Sequence, residues 1–368
     1  MIAIEHYSPV SNEVFYSSTL TGQPQVRHIF RRSLDAFAQS KCITCDLGNS
    51  CLYNQVKFNP SGTRFLLDCQ GFEIPKIELR EVNGNRKILT WTDNSHILAK
   101  LVHRNIPRYE KLNVTLPFNG DAILELILPH NFDETHSYPL LMQLYNAPDT
   151  QQIVDQYQMN HWSSHLATQE RFIYARVDVR GSSGQGLRHM KSLHKNLGGP
   201  EIDDILAIIR FIKRDLHYVD PKKIAVWGWS YGGFAVLMSL IRQQENEFTC
   251  GAAVAPVTNW MLYDTAYSER YLGAVQERDP HELTPYLSAS ILNRIESLRG
   301  KKFMLVFGTS DNNVHAQHSY RLMMKLNDAD IDYEAQIYPD DDHTLGRNNL
   351  HLYKRLTKYF KKCFNSTV

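Results

Sequence analysis

Ser230 sits at the centre of Gly228-Trp229-Ser230-Tyr231-Gly232, a G-x-S-x-G pentapeptide between a strand-like run, Lys223 to Trp227, and a helix-like run, Phe234 to Ile241. A strand that turns sharply into a helix lifts its serine hydroxyl above the sheet edge, and flanking glycines let backbone segments approach without a Cβ clash. In that context the pentapeptide predicts a nucleophile for acyl transfer; the plainer reading is a Gly-rich turn that happens to hold a serine. An unassisted serine hydroxyl is a poor nucleophile at neutral pH, so it needs a histidine base and a carboxylate that sets the histidine's tautomer. Downstream lie His281, His315, His318, His343 and His351, of which only His343 follows closely on a strand-like run, in Tyr338-Pro339-Asp340-Asp341-Asp342-His343. Asp311 follows the run Lys302 to Phe307 through Gly308-Thr309-Ser310. Ser230, Asp311 and His343 fall in the chain order of α/β-hydrolase triads. Against this stand a solvated acidic loop at Asp340 to Asp342 and a merely structural histidine.

A tetrahedral oxyanion needs at least two donors, and the amide after the nucleophile, here Tyr231, supplies one. Tyr145, at the end of the run Tyr138 to Tyr145 and just before Asn146-Ala147-Pro148, could supply its phenol as the second; a buried tyrosine packed under the sheet edge is the equal alternative. Val257, Trp260, Tyr263 and Tyr267 form an aromatic-rich stretch after another strand, either core or the wall of a slot for a compact apolar ring such as proline.

The elements that would position these groups alternate. After a hairpin, Val114 to Leu116 with Ala122 to Leu128, strand-like runs at Tyr138 to Tyr145, Arg171 to Val179, Lys223 to Trp227, Ala252 to Val257, Lys302 to Phe307 and Tyr333 to Tyr338 are separated by amphipathic stretches. Ile202, Ile205, Leu206, Ile209, Ile212 and Leu216 recur at helical spacing, as do Leu322, Met323 and Leu326. Alternating β and α predicts an α/β fold with a mostly parallel sheet covered on both faces and its site beyond the carboxyl ends of the strands. The first hundred residues read differently. Short β-rich runs at Val14 to Ser18, Val26 to Arg31, Tyr53 to Phe58, Thr63 to Leu67, Ile77 to Val82 and Lys87 to Trp91, broken by Asn59-Pro60-Ser61-Gly62 and Asn83-Gly84-Asn85, predict an antiparallel all-β piece. Such a meander is marginal alone, which suggests a fragment of a larger assembly such as a β-propeller. A helix-like connector, Asn94 to His103, leads to the α/β part, so the expected domains are 1–100 and 101–368.

At 368 residues with 43% apolar and 21% charged residues, the chain can bury a large core. Its 40 Lys plus Arg against 39 Asp plus Glu leave a formal charge of +1, too balanced to suggest a nucleic acid or an anionic membrane as partner. No apolar stretch has membrane-helix length, and Met1-Ile2-Ala3-Ile4-Glu5-His6 has no secretory pattern. The six cysteines, Cys42, Cys45, Cys51, Cys69, Cys250 and Cys363, point instead to an oxidising compartment, with Cys42-x-x-Cys45 also readable as half a zinc site or a redox pair. Two N-glycosylation sequons, at Asn113 and Asn365, lean the same way. No cofactor or metal is expected.

Trp227-Gly228-Trp229-Ser230-Tyr231-Gly232-Gly233, Ala255-Pro256-Val257, Tyr267-Ser268-Glu269-Arg270-Tyr271, Gly308-Thr309 with Asp311, Asn313-Val314-His315 and Asp342-His343 occur in this order. Together they make the chain resemble the C-terminal part of the dipeptidyl peptidase IV type within the prolyl oligopeptidase family, nearly end to end. The resemblance implies an α/β-hydrolase domain preceded by the last blades of a β-propeller. It implies a triad of Ser230, Asp311 and His343 and an oxyanion hole of the Tyr145 hydroxyl with the Tyr231 amide. Tyr231, Val257, Trp260, Tyr263, Tyr267 and Val314 would line the pocket for a penultimate proline or alanine, with Asn313 near the substrate carbonyl. It also implies disulfides Cys42–Cys45, Cys51–Cys69 and Cys250–Cys363, peptide substrates, a cell-exterior setting, and a homodimer involving the final helix Asn348 to Lys362 with its apolar Leu350, Leu352, Leu356 and Phe360, a helix that could equally pack on its own sheet.

Relative to the family pattern, the chain lacks a longer amino-terminal portion with membrane anchor and most of the propeller, and with it a glutamate pair that grips the substrate's free amino group. Dipeptide release is therefore not expected to be enforced, and the chain alone is expected to be unstable or poorly active. Asn146-Ala147-Pro148 stands in place of a more glycine-rich turn, Phe307 in place of a histidine, and Val179 and Ser183 alter the loop around Asp178 to Ser182. The alternatives are a noncatalytic family member acting as a membrane-protein accessory or binding module, and a general carboxylesterase sharing the elbow.

Overall fold

The computed structural model describes residues 2–35, 37–101, 104–117, 121–158, 161–275 and 280–365. The end of the expected connector at His103, and Ser366 and Thr367 of the second sequon, lie outside these residues. The chain divides into two compact units: Met1–Ile106 with Ile153–Asn160 and Gly184–Gly186, and the remainder, Pro107–Gln152, His161–Ser183 and Leu187–Val368.

The first unit holds two four-stranded sheets in which every neighbouring pair is antiparallel. One contains β1 (Ala3–Ser8), β2 (Glu13–Leu20), β3 (Gln23–Ser33) and β4 (Lys41–Cys42); the other contains β5 (Asn54–Phe58), β6 (Arg64–Cys69), β7 (Lys76–Glu81) and β8 (Lys87–Thr92). Alternation produces the core: Phe65, Leu67 and Cys69 of β6 point inward and meet Phe15 of β2 and Ile29 of β3. The β5–β6 turn is tied by Asn59, whose Oδ1 accepts the Thr63 and Arg64 amides at 2.9 Å each. Cys42–Cys45 and Cys51–Cys69 are disulfides with Cα separations of 5.7 and 5.2 Å. The sequence pattern missed β1, whose exposed Ile4, Glu5 and half-buried His6 break the alternation, and β4, only two residues long. It also missed the later segment 153–158, which belongs here because the Asp155 amide donates to the Gln25 carbonyl at 2.9 Å and the Tyr157 amide to the Gln70 carbonyl at 2.7 Å.

The second unit is an α/β hydrolase domain built on an eight-stranded sheet. Its strands are β9 (Arg108–Thr115), β10 (Asp121–Leu128), β11 (Tyr138–Leu144), β12 (Ile173–Asp178), β13 (Val219–Trp229), β14 (Cys250–Val254), β15 (Phe303–Gly308) and β16 (Glu334–Tyr338), in the order β16-β15-β14-β13-β11-β12-β10-β9. β9, β10 and β12 pair antiparallel, and every pair from β12 to β16 is parallel. Among the described residues the α-helices are α1 (Ser95–Leu101), α2 (His161–Thr168), α3 (Leu187–Met190), α4 (Pro200–Asp215), α5 (Tyr231–Arg242), α6 (Thr265–Leu272), α7 (Thr284–Ser288), α8 (Gln317–Asp328) and α9 (Asn349–Asn365).

Strand residues alternate between two cores. Leu140, Met142, Ile224 and Val226 face one that includes Ile202, Ile205 and Ile209 of α4 and Phe234 of α5. Leu141, Ala225 and Trp227 face another with Leu166 of α2 and Leu352, Leu356 and Phe360 of α9. Thus α9 spends three of its four singled-out apolar positions on its own sheet, and only Leu350 is exposed, at 71%. Cys250 of β14 and Cys363 of α9 are joined, which staples that helix to the sheet. No described helix is long and apolar enough to cross a membrane.

Candidate active site

The elbow is built by backbone crowding. Ser230 has φ 61° and ψ −119°, a positive-φ conformation that costs a non-glycine residue of order 1–3 kcal/mol. The surroundings enforce it: the Ser230 amide donates to the Val254 carbonyl of β14 at 2.8 Å, and its carbonyl accepts the Phe234 amide of α5 at 3.1 Å. The flanking glycines have no room for a side chain. A Cβ on Gly232 would lie 2.2 Å from the Leu144 oxygen, and one on Gly228 would lie 2.3 Å from the Gly232 oxygen. The end of β11, and with it Tyr145, is therefore pressed against the turn that carries Ser230.

Asp311 and His343 come together from the loops after β15 and β16. His343 Nδ1 is 2.7 Å from Asp311 Oδ2, and the aspartate side chain is fully buried while the histidine keeps 19% exposure. Asp311 Oδ1 accepts the amides of Asn313 and Val314, each at 2.9 Å, so both carboxylate oxygens are occupied and the side chain cannot turn. The two loops interlock: a Cβ on Gly308 would lie 2.3 Å from the Asp341 oxygen, and the Ser310 amide donates to that same carbonyl at 3.0 Å. Asp341 is buried and accepts from Asn348 Nδ2 at 2.9 Å, whereas Asp340 is exposed and Asp342 accepts from Thr344. Only part of the acidic run is a solvated loop. Trp229, beside the nucleophile, donates its indole N–H to the His343 carbonyl at 2.9 Å, tying the histidine loop to the elbow. An Asp311 carboxylate on Nδ1 keeps the proton there and leaves Nε2 as the basic nitrogen.

Two of the other downstream histidines, His318 and His351, have different partners. His318 is fully buried, accepts the Thr258 amide at Nδ1 at 3.2 Å and is pushed down to about 4 by burial, so it is a neutral structural clamp. His351 Nδ1 is 2.9 Å from the Tyr338 hydroxyl.

The aromatic stretch is both core and wall. Trp260 and Val257 are buried at 1% exposure each. Trp260 stacks on Tyr267 with ring centroids 5.6 Å apart and meets Tyr263 edge-on at 5.7 Å and Tyr231 at 5.7 Å. Tyr263 is partly exposed and donates its hydroxyl to Asn313 Oδ1 at 3.0 Å, while Val314 is buried. Burial pushes the Tyr145 phenol up. Burial first, and neighbouring groups that include Tyr145 after it, push the Tyr263 and Tyr267 phenols up as well. The structure thus brings Asp311, His343, Asn313, Val314 and Tyr263 into one contact network, which Trp229 ties to the elbow. Sequence reasoning missed Trp229 as a tether and Glu201, a buried acid whose Oε1 accepts the Tyr231 hydroxyl at 2.8 Å. Neither has a local signal, because their partners lie 114 and 30 residues away.

Residues 157–367 match the model of the prolyl oligopeptidase family, and residues 1–76 match that of the dipeptidyl peptidase IV N-terminal region. The chain is 36% identical over 368 residues to a venom dipeptidyl peptidase 4 of Vespa velutina, covering 99% of this chain and 46% of that one. It is 34% identical over 373 residues to the prolyl endopeptidase FAP of Homo sapiens, covering 99% and 48%. The crystal structure of dipeptidyl peptidase 4 from Porphyromonas gingivalis superposes with a TM-score of 0.88 at 28% identity, over 98% of this chain and 49% of that one. The chain spans about half the length of the curated relatives it matches. With a strand–serine–helix elbow, a buried Asp–His pair and a family match over more than half its residues, the chain belongs to the prolyl oligopeptidase family.

Proposed function

We propose that the chain is a serine peptidase of the dipeptidyl peptidase 4 type that cleaves peptides after proline or alanine through a Ser230 acyl-enzyme. The observation that carries this reading is the 2.7 Å contact between His343 Nδ1 and a buried Asp311, on a loop that Trp229, the neighbour of a serine held at φ 61°, ties to the elbow. In the reaction, Ser230 Oγ attacks the scissile carbonyl while His343 Nε2 takes its proton. Asp311 stays ionised and stabilises the imidazolium. The Tyr145 hydroxyl and the Tyr231 amide donate to the oxyanion. Collapse expels the leaving amine with the proton from His343, and water, activated by the same histidine, releases the acyl group. Tyr231, Val257, Trp260, Tyr263, Tyr267 and Val314 enclose the residue before the cleaved bond, and Asn313 addresses the substrate carbonyl.

Relatives named as a dipeptidyl peptidase and as a prolyl endopeptidase match about equally, so the proposal rests on proline-directed acyl transfer rather than on dipeptide counting. Fluorophosphonate labelling of Ser230, abolished by S230A, together with turnover of a chromogenic X-Pro amide, tests it. An N-acetylated X-Pro amide then separates endopeptidase from dipeptidase action. Neither labelling nor turnover would leave the noncatalytic reading, and turnover of simple esters alone would favour a carboxylesterase.

The same reading takes 1–100 as propeller blades and 101–368 as the catalytic domain. It places the chain outside the cell, consistent with its three disulfides, with Asn113, exposed on β9, and Asn365 as glycosylation sites. Homodimerisation remains part of the proposal, although the packing of α9 leaves Leu350 as the apolar residue of that helix available to it.

A further inference from the structure

Behind the nucleophile turn lies a carboxylate that the chemistry above does not use. Glu201, in the first turn of α4, is fully buried. Its Oε1 accepts two hydrogen bonds, from the Tyr231 hydroxyl at 2.8 Å and from the Gly198 amide at 2.6 Å. Among the described residues its Oε2 has no hydrogen-bond partner, and neither does the hydroxyl of Tyr267. The charged and titratable groups around it are Tyr231 and Arg242 of α5, Tyr267 of α6, Arg180 after β12, and Asp203 and Asp204 on its own helix. Arg242 donates to the Gly198 and Gly199 carbonyls and to Asp203, and Arg180 donates to Asp204 and the Pro200 carbonyl. The guanidiniums thus grip the loop and the helix around Glu201. Burial pushes the Glu201 carboxyl up to about 7.

A buried acid at this position costs stability, and an apolar pair at Glu201 and Tyr231 would pack without that cost. What the acid supplies is a fixed phenol. Tyr231 is the first residue of α5, so its ring and its amide belong to the residue directly after Ser230. We propose that Glu201 is a positioning residue for acyl transfer: by holding the Tyr231 hydroxyl, it fixes both the ring that walls the pocket and the amide that faces the oxyanion. This rests on the role given above to Tyr231. The grip follows ionisation, because a carboxylate accepts a phenol's hydrogen bond more strongly than a neutral acid does.

The test compares the 368-residue chain with E201Q, Y231F and the double variant across pH 5.5 to 8.5. E201Q keeps the shape and an acceptor oxygen, and circular dichroism checks the fold. Readouts are kcat/KM for an X-Pro amide, the fluorophosphonate labelling rate, and the affinity of an aminoacyl-pyrrolidide, which fills the pocket but has no scissile bond. Near pH 5.5, where Glu201 is protonated, wild type and E201Q should agree. By pH 8.5 the wild type should lead by about tenfold, the difference between a charge-assisted and a neutral hydrogen bond. The His343 contribution is common to both and divides out of this ratio. Y231F should reproduce the loss, and E201Q should add nothing to it. A ratio flat in pH, or additive losses in the double variant, overturns the proposal. If the wild type neither labels nor turns over, the peptidase reading falls. Pyrrolidide binding then decides this proposal alone: pH-dependent weakening in E201Q upholds it, and unchanged or undetectable binding overturns it.

Discussion

Replacing Gly232 by alanine sets two magnitudes against each other. Gly232 lies in the first turn of α5, where alanine is favoured by about 1 kcal/mol in helix propensity. The added Cβ, however, would sit 2.2 Å from the Leu144 oxygen and 3.2 Å from the Tyr145 Cα. Carbon–carbonyl oxygen contacts run at about 3.3 Å or more, so the end of β11 and the elbow must part by roughly 1 Å. No rotamer relieves this, because the obstacle is backbone in a strand paired on both sides. Overpacking of this kind costs about 1–3 kcal/mol, so the clash outweighs the propensity and the net loss of stability is about 1 kcal/mol. The effect on chemistry is larger. The displacement separates Tyr145 from the Tyr231 amide, and a misplacement of about 1 Å costs on the order of a hundredfold. We therefore expect G232A to lose about a hundredfold in kcat/KM for an X-Pro amide and in the fluorophosphonate labelling rate, while its Tm falls by only a few degrees. G300A is the matched control: Gly300 has φ 74° and open space within 4 Å of where a methyl would stand, so alanine there costs about 1–2 kcal/mol of backbone strain without reaching the site. G232A with wild-type rates, or G300A losing as much activity as G232A, would refute the reasoning.

Three further outcomes follow from the geometry. Asp311→Asn should lower kcat by about 10⁴-fold with little change in Tm. The Asn313 and Val314 amides demand oxygen at Oδ1, so the new NH₂ must face His343 Nδ1 and force the proton onto Nε2; wild-type turnover of D311N would exclude Asp311 as the orienting acid. Replacing Cys250 and Cys363 together by serine opens a cross-link spanning 113 residues, worth about 5 kcal/mol of denatured-state entropy. The denaturation midpoint of the double variant should drop accordingly, and an unchanged midpoint would contradict a structural role for the staple. Glu201→Gln should stabilise the fold at high pH only. The folded-state carboxyl titrates near 7 instead of its ordinary 4.5, so the native state holds the proton more tightly than the unfolded chain. The resulting penalty is nil below about pH 4.5, grows through the window up to pH 7, and stays at about 3 kcal/mol above it. Thermal melting at pH 5 and pH 8 checks this: a gain in Tm confined to pH 8 is expected, and an equal gain at both would refute it.

Much of this architecture is legible in the chain because parallel α/β sheets deliver the carboxyl ends of their strands to one edge. Ser230 after β13, Asp311 after β15 and His343 after β16 could be ranked by that rule before any distance was known. The strand-like runs lie close to the observed strands because apolar residues buried on both faces form short continuous blocks, as in Phe303–Gly308. Where a strand is exposed along most of its length or very short, as in β1 and β4, the pattern falls silent. The segment 153–158 is similarly opaque, since the Asp155 and Tyr157 amides join it to the first unit by backbone hydrogen bonds, which any sequence can make.

Glu201 shows the deeper limit. In the sequence it is an acid in the first turn of a helix beside Ile202, a placement that the helix dipole alone explains as a solvated, favourable charge. It is buried only because Gly198 donates to it from the preceding loop, Arg242 clasps that loop from α5, and Tyr231 closes over it. Each of these contacts needs α4 and α5 already packed on the sheet. The same holds for Val257, Trp260, Tyr263 and Tyr267, whose spacing fits core and pocket wall equally. Trp260 is enclosed, while Tyr263 keeps an exposed edge that reaches Asn313. A motif can therefore name the atoms that react. How firmly those atoms are held depends on second partners that only the assembled sheet brings into range, and for Ser230 those partners are Leu144, Trp229 and, through Tyr231, Glu201.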